Sequence, residues 1–172
     1  MTALIRTARP EDATTLREIE RLAGERFRDV GLPDVADAEP ASVATLAAYA
    51  RAGRSWVAVV GDVTVVGYVL VDIIDAQAHI EQISVLPDHQ GRGVGRALIE
   101  HVGGWARGDG RSALTLTTFA TIPWNGPLYA HLGFVPLPEG AIGPELRAVC
   151  RSEAAHGLDP SQRVCMRLAL AP

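Results

Sequence analysis

Apolar and polar residues follow two rhythms along this chain, and the rhythm changes at glycines and prolines. Leu4 to Arg9 predicts a first strand. Pro10-Glu11-Asp12 then opens a helix with acidic residues in its first turn. Leu16, Ile19, Leu22 and Ala23 recur at helical spacing, with Arg17, Glu18, Glu20 and Arg21 on the other face. Gly31-Leu32-Pro33 ends this region. Asp34 to Pro40 is acidic and irregular, and the alanine-rich run from Ala41 to Ala52 predicts a second helix.

The rhythm then becomes that of strands. Ser55 to Val60 and Thr64 to Ile74 are rich in β-branched residues, and Gly61-Asp62 between them signals a hairpin. His79 to Leu86 predicts a third antiparallel strand after a turn at Asp75-Ala76-Gln77, closed by Pro87-Asp88. Gly93 to Arg107 predicts a helix with Val94, Leu98, Val102 and Trp105 on one stripe, stopped by Gly108-Asp109-Gly110. Ala113 to Thr118 alternates and predicts the next strand. A crossing from the third strand through that helix makes a parallel, right-handed unit. Pro123-Trp124-Asn125-Gly126-Pro127 starts a short helix ending at Leu132-Gly133. Phe134-Val135-Pro136 and Arg163 to Leu170 predict two last strands, and residues 140–160 carry no clear pattern. The order β-α-α-β-β-β-α-β-α-β-β predicts an α/β fold, with a mixed, mostly antiparallel twisted sheet and helices on both faces. Without an internal repeat or a linker, residues 1–172 read as a single domain.

Composition narrows the classes of function. The 172 residues are 48% apolar and 21% charged, which suits a globular core. A formal charge of −4 argues against a general nucleic-acid binder. No leader pattern or spanning apolar run is present, so the expectation is a cytoplasmic protein with no membrane partner. Cys150 and Cys165 can pair, but two cysteines imply no disulfide framework, and a reduced state is the plainer expectation. His79, His89, His101, His131 and His156 show no repeated ligand spacing, so no metal is expected.

The densest chemistry lies between Val85 and Leu98. There a strand runs into a loop of alternating glycines and then a helix. Gly91, Gly93 and Gly95 lack Cβ atoms, so backbone N–H groups can approach an anion. The helix start points its positive dipole end at the same place, and Arg92 and Arg96 add forked donors suited to phosphate oxygens. The plain reading is an ordinary basic turn. A Walker loop is excluded, because Arg96-Ala97 stands where Lys and Ser or Thr are needed. A dinucleotide fingerprint is excluded by the glycine spacing. What remains is Gln90-x-x-Gly93-x-Gly95 directly after an apolar strand.

That pattern resembles the acyl-CoA-binding motif of the GNAT superfamily of N-acetyltransferases. A second stretch, Asn125-Gly126-Pro127-Leu128-Tyr129-Ala130-His131-Leu132-Gly133-Phe134, is similar to the family's Asn, Tyr four residues later, and Gly-Phe. The resemblance covers nearly the whole chain. It implies an acetyl-CoA-dependent N-acetyltransferase that acts on a primary amine of a small molecule or peptide by direct attack in a ternary complex. It implies that Gln90, Gly91, Arg92, Gly93, Val94, Gly95 and Arg96 hold the diphosphate. Backbone of Ile83, Ser84 and Val85 would bond the pantetheine, which Asn125 supports, and Tyr129 would protonate the departing thiolate. On residues alone, Tyr129 equally packs and Asn125 equally caps its helix. Homodimerisation is common in the family.

Alternation puts His79, Glu81, Ile83 and Val85 on one face of the third strand, and Ile80, Gln82, Ser84 and Leu86 on the other. Glu81 would act as base, directly or through water, if burial raises its pKa from about 4.3. His79, near 6.5, needs less tuning. The alternative is a structural His–Glu pair. The acceptor is open. Glu25, Asp29, Asp34, Asp37 and Glu39 would attract a cationic amine or form a solvated loop. Trp56, Thr117, Thr118, Phe119, Thr121 and Trp124 would line a pocket or pack in the core. The competing class is a non-catalytic acyl-CoA-binding or sensing module. A parallel nucleotide- or flavin-binding fold is opposed by the early hairpin.

Overall fold

The computed structural model describes residues 3–61 and 63–171. Asp62 of the expected Gly61-Asp62 turn lies outside the described residues. The chain forms two compact units, Met1–Val71 with Gln82–Val102, and Asp72–Glu81 with Gly103–Pro172.

The first unit contains β1 (Leu4–Thr7), α1 (Ala13–Gly24), the single turn α2 (Pro33–Ala36), α3 (Val43–Arg51), β2 (Ser55–Val60) and most of β3 (Thr64–Ile74). It also holds the end of β4 (Gln77–Val85) and the start of α4 (Val94–Gly108). Asp12 fixes the entry to α1: its carboxylate accepts the Arg9 N–H at 2.7 Å and both Arg6 Nη atoms at 2.8 and 3.0 Å. Ser42 caps α3 by accepting the Thr45 N–H. Ala13, Leu16 and Ile19 of α1 and Leu46, Ala47 and Ala50 of α3 pack on Val57, Val59, Tyr68 and Leu70. Each large apolar side chain so buried contributes about 1.5–3 kcal/mol. On the other face of β3, a Cβ on Gly67 would lie 2.9 Å from the Ser84 carbonyl and 3.4 Å from Val94 Cγ1. Glycine there lets β3, the end of β4 and the start of α4 close together.

Glu20 departs from the expected polar face of α1. Its carboxylate accepts the buried Tyr68 hydroxyl at 2.7 Å. Burial raises the Glu20 pKa, and burial together with the Glu20 charge raises that of Tyr68. A long side chain at the edge of an apolar stripe reaches inward when a buried donor waits there. Trp105, placed on the α4 stripe, is partly exposed; Ala106 is the buried residue at that level.

The second unit contains β5 (Ala113–Phe119), α5 (Gly126–His131), β6 (Val135–Pro136), α6 (Pro144–Ala155) and β7 (Arg163–Ala169), with the start of β4. β5 pairs antiparallel with β7 from Ala113↔Ala169 to Phe119↔Arg163. It pairs parallel with β4 at Ala78↔Leu114 and His79↔Thr115. Strand pairing gives the order β1-β2-β3-β4-β5-β7-β6, a seven-stranded mixed sheet. The α/β class and the mostly antiparallel pairing match the expectation. The structure adds α2 and α6, the latter inside the stretch that carried no pattern.

The β3–β4 turn explains how α6 is held. Asp75 and Ala76 both have left-handed backbones, with φ of 48° and 61°. The Asp75 carboxylate accepts the Glu145 and Leu146 N–H groups at 3.0 Å each, and Glu145 accepts the Asp75 N–H in return. A Cβ on Gly143 would overlap that carboxylate. α6 is therefore capped by a residue 70 positions away. Among the described residues, no helix is long and apolar enough to cross a membrane.

Candidate active site

Local backbone builds the glycine-rich loop in the first unit. β4 ends at Val85, a 3-10 turn covers Pro87–His89, and α4 starts at Val94. Gly91 and Gly93 take φ of +70° and +82°, values that side-chain-bearing residues adopt at a cost of about 1–2 kcal/mol. The first bond of α4 runs from the Ala97 N–H to the Gly93 carbonyl at 3.0 Å. That start leaves the N–H groups of Val94, Gly95 and Arg96 without partners inside the helix. A Cβ on Gly91, Gly93 or Gly95 would meet nothing within 4 Å, so the loop is open on its outer side. Arg92 and Arg96 are exposed beside it. Open donors, a helix start and two guanidinium groups fit a diphosphate.

Gln90 behaves differently from the rest of the loop. Its Nε2 donates to the Val85 carbonyl at 2.9 Å, and its Oε1 accepts Arg26 Nη1 at 2.7 Å. Its own N–H donates to Pro87. The side chain thus ties the end of β4 to the 3-10 segment Glu25–Val30. Burial lowers the Arg26 pKa. Beside this tie lies a cleft of about 410 Å3 lined by Leu22, Ala23, Glu25, Arg26, Pro87 and Gln90, with Arg28 and Asp29. The Leu86 N–H bonds Val66 on β3. By strand alternation, the N–H and C=O of Ile83 and Val85 face away from β3. Ser84 is buried and accepts Gln82 Nε2 at 2.9 Å.

The acidic residues near this cleft are mostly ion-paired. Arg28 binds Glu25 and Asp37, Arg21 binds Glu18 and reaches Glu25, and Arg17 binds Glu39. The solvated-loop alternative describes these exposed pairs better than a naked anionic attractor. Trp56 is buried, its ring 5.8 Å from that of His101.

Tyr129, Asn125, His79 and Glu81 belong to the second unit. Tyr129 is 9% exposed and packs edge-on against Phe134, with centroids 5.7 Å apart. Burial pushes its hydroxyl up to about 12, against the opposing pull of the Arg163 charge. It is therefore a protonated donor at every physiological pH. Asn125 sits at the cap position of α5, but its side chain makes no capping bond, and its buried Oδ1 has no hydrogen-bond partner among the described residues. Its carbonyl accepts the Tyr129 N–H at 3.0 Å.

His79 is 1% exposed, and its Nδ1 lies 2.9 Å from Thr115 Oγ1. Burial lowers its pKa below 6.5, opposed by the charges of Glu153 and Asp72. Glu81, two residues on, is exposed, so the burial that would tune it is not met. The two residues share a strand but not an environment.

The pattern-poor stretch supplied a further polar group. Glu153 on α6 accepts the Thr117 hydroxyl and Arg163 Nη2, the latter at 3.0 Å. The Arg163 guanidinium also lies 4.8 Å over the Phe119 ring, and Thr118 and Phe119 are buried. Only the charge of Glu153, alternating with small residues in Ser152-Glu153-Ala154, marked it in the sequence. Among the described residues, no group of three or more His, Cys, Asp or Glu is arranged to hold a metal.

Comparison with known proteins gives one family. Residues 14–134 match the Acetyltransferase (GNAT) family. In fold, the chain is similar to Rv2747 from Mycobacterium tuberculosis, solved with CoA, at 22% identity and TM-score 0.70, covering 98% of this chain and 99% of that one. It is similar to N-acetylglutamate synthase from Neisseria gonorrhoeae, complexed with coenzyme A and N-acetyl-glutamate. There the identity is 21% and the TM-score 0.73, over 100% of this chain and 36% of that one. It is also similar to the PaiA N-acetyltransferase from Thermoplasma acidophilum, in complex with coenzyme A, at 16% identity and TM-score 0.73, covering 98% and 99%.

Proposed function

This chain belongs to the acetyltransferase (GNAT) family, and on that premise we propose that it moves an acetyl group from acetyl-CoA to a primary amine of a small molecule or peptide, by direct attack in a ternary complex. The observation that carries the reading is the loop of the first unit: two left-handed glycines lead into three helix-start amides with no partner inside the helix, flanked by Arg92 and Arg96. Those amides and guanidinium groups hold the diphosphate of the coenzyme. Gln90 acts from within, keeping the Val85 end of β4 and the loop in fixed relation. Ile83 offers its backbone N–H and C=O, and Val85 its N–H, to the pantetheine as an added strand would.

Acetyl-CoA supplies a thioester, whose carbonyl is open to an amine and whose thiolate leaves readily. Tyr129, kept protonated by burial, gives its hydroxyl proton to that thiolate. Asn125 Oδ1, buried and without a hydrogen-bond partner among the described residues, accepts an N–H of the pantetheine arm. His79, kept neutral by burial, accepts the proton that the acceptor ammonium must lose. Exposed Glu81 joins it only through solvent. Most of the rate comes from holding two reactants in register, worth up to about 7–11 kcal/mol in favourable cases. We take residues 1–172 as the catalytic domain for this reaction.

Titration calorimetry with coenzyme A, followed by a thiol-release assay with acetyl-CoA and an amine panel, tests the proposal. Heat of binding with amine-dependent thiol release is expected. Binding without release for any amine would instead support a sensing module, and no heat at all would remove the loop assignment.

A further inference from the structure

α6 and β7 bring the two cysteines of the chain together. Cys150 is partly exposed on α6 and Cys165 is buried on β7, 15 residues apart in sequence, with their Sγ atoms 3.4 Å apart. A disulfide needs about 2.05 Å, so the sulfurs must close by roughly 1.4 Å. We propose that Cys150 and Cys165 form an oxidisable thiol pair, converted to an intramolecular disulfide by a low-molecular-weight disulfide such as oxidised glutathione.

Exposure sets the order of steps. Cys150, as thiolate, attacks one sulfur of the oxidant. A mixed disulfide forms and one glutathione thiolate leaves, taking up the proton that Cys150 released. Cys165 cannot meet the oxidant, being 7% exposed. It attacks Cys150 Sγ instead, breaking the mixed disulfide and releasing the second glutathione thiolate, which takes the Cys165 proton. Two protein thiols are oxidised and one glutathione disulfide is reduced to two thiols. Burial and the adjacent Cys150 raise the Cys165 pKa, which keeps its thiolate scarce and slows this second step.

The surroundings give the bond a consequence. Cys165 is paired with Thr117 across β5 and β7. The Thr117 hydroxyl donates to Glu153, which stands three residues beyond Cys150 on α6 and binds Arg163. The Glu153 charge acts on His79, and the Arg163 charge acts on Tyr129. Drawing α6 onto β7 at Cys150 therefore strains an ion pair whose charges oppose the larger effect of burial at both groups. This coupling rests on the acetyltransferase reading; the thiol chemistry does not.

The full chain is incubated with excess oxidised glutathione in mildly alkaline buffer, and thiols are counted after denaturation, with intact mass. The wild type is expected to lose both thiols and two hydrogens, with no retained glutathione, reversibly by dithiothreitol. Cys165→Ser is expected to keep one glutathione on Cys150, and Cys150→Ser to keep its thiol. Glutathione retained by the wild type beside a free Cys165, or no thiol loss, overturns the pair. Turnover of the oxidised wild type should fall by about tenfold, the scale of a sub-ångström shift of reacting groups, while that of Cys150→Ser after the same treatment stays unchanged. Equal turnover in both redox states overturns the coupling. Thiol count and mass need no acetyl-CoA, so failure of the pair and failure of the enzymatic reading are distinguishable.

Discussion

Gly126→Ala is the sharpest single perturbation of the second unit. A Cβ there would stand 2.4 Å from the Ala120 carbonyl oxygen, 2.9 Å from that of Phe119 and 3.0 Å from the Ala120 carbonyl carbon. All three are backbone atoms where β5 leads into α5, and none can swing aside. Relaxed C···O contacts begin at about 3.3 Å, so the chain must open by roughly 0.9 Å. Overpacking of this kind costs about 1–3 kcal/mol. Alanine recovers at most about 1 kcal/mol through helix propensity, and less at a first helical position. A net loss of about 1–2 kcal/mol lowers Tm by roughly 2–8 °C for a chain of this size. The same opening displaces Tyr129, three residues on, and a shift near 1 Å at a reacting group costs up to about 100-fold in kcat. Affinity for coenzyme A falls less than turnover, because the diphosphate contacts assigned to Gly91 to Arg96 are untouched and only the pantetheine contact of Asn125, next to Gly126, is disturbed. Thermal unfolding, calorimetry and thiol release measure the three terms. A variant with wild-type Tm and wild-type turnover would show that the β5–α5 turn does not position Tyr129.

Gly93→Glu places a carboxylate and a side chain at φ +82° among the open amides, so coenzyme heat should vanish in calorimetry; retained affinity would reject the loop assignment. Tyr129→Phe removes the proton donor, and kcat should fall by about 100-fold with little change in coenzyme Kd; wild-type turnover would take Tyr129 out of that role. Burial depresses the folded-state pKa of His79 below 6.5, so the unfolded chain binds the extra proton first as pH falls. Its contribution to stability is thus full above about 6.5 and shrinks as pH drops toward the folded value. Urea midpoints between about pH 5 and 8 should show this slope, and His79→Gln should flatten it; an identical slope in the variant would assign the effect elsewhere.

The legible parts of the fold were those whose signal is local. The β-branched runs of β2 and β3 gave Ser55–Val60 and Thr64–Ile74, with boundaries as observed. The loop between β4 and α4 was legible because its alternating glycines, read as missing Cβ atoms, stand directly before a helix start, and Gly91 and Gly93 there take left-handed backbones. α6 was not, since Leu146 is its one buried side chain and its cap comes from Asp75, far away in sequence. Glu20 and Glu153 were missed for a related reason. Their partners, Tyr68 and Arg163, are set by tertiary packing, which no spacing rule reports. The opposite environments of His79 and Glu81 show the same limit: alternation assigns a face, but what covers each position is decided elsewhere.

The reciprocal bonds between Asp75 and the start of α6 make two distant stretches one structural unit. A relative that shortens the connection between β6 and β7 loses the partner that steadies two left-handed, non-glycine residues. Such a relative should carry Asn-Gly or a longer loop at the β3–β4 corner. Grafting that connection between homologues should therefore succeed only when the corner travels with it.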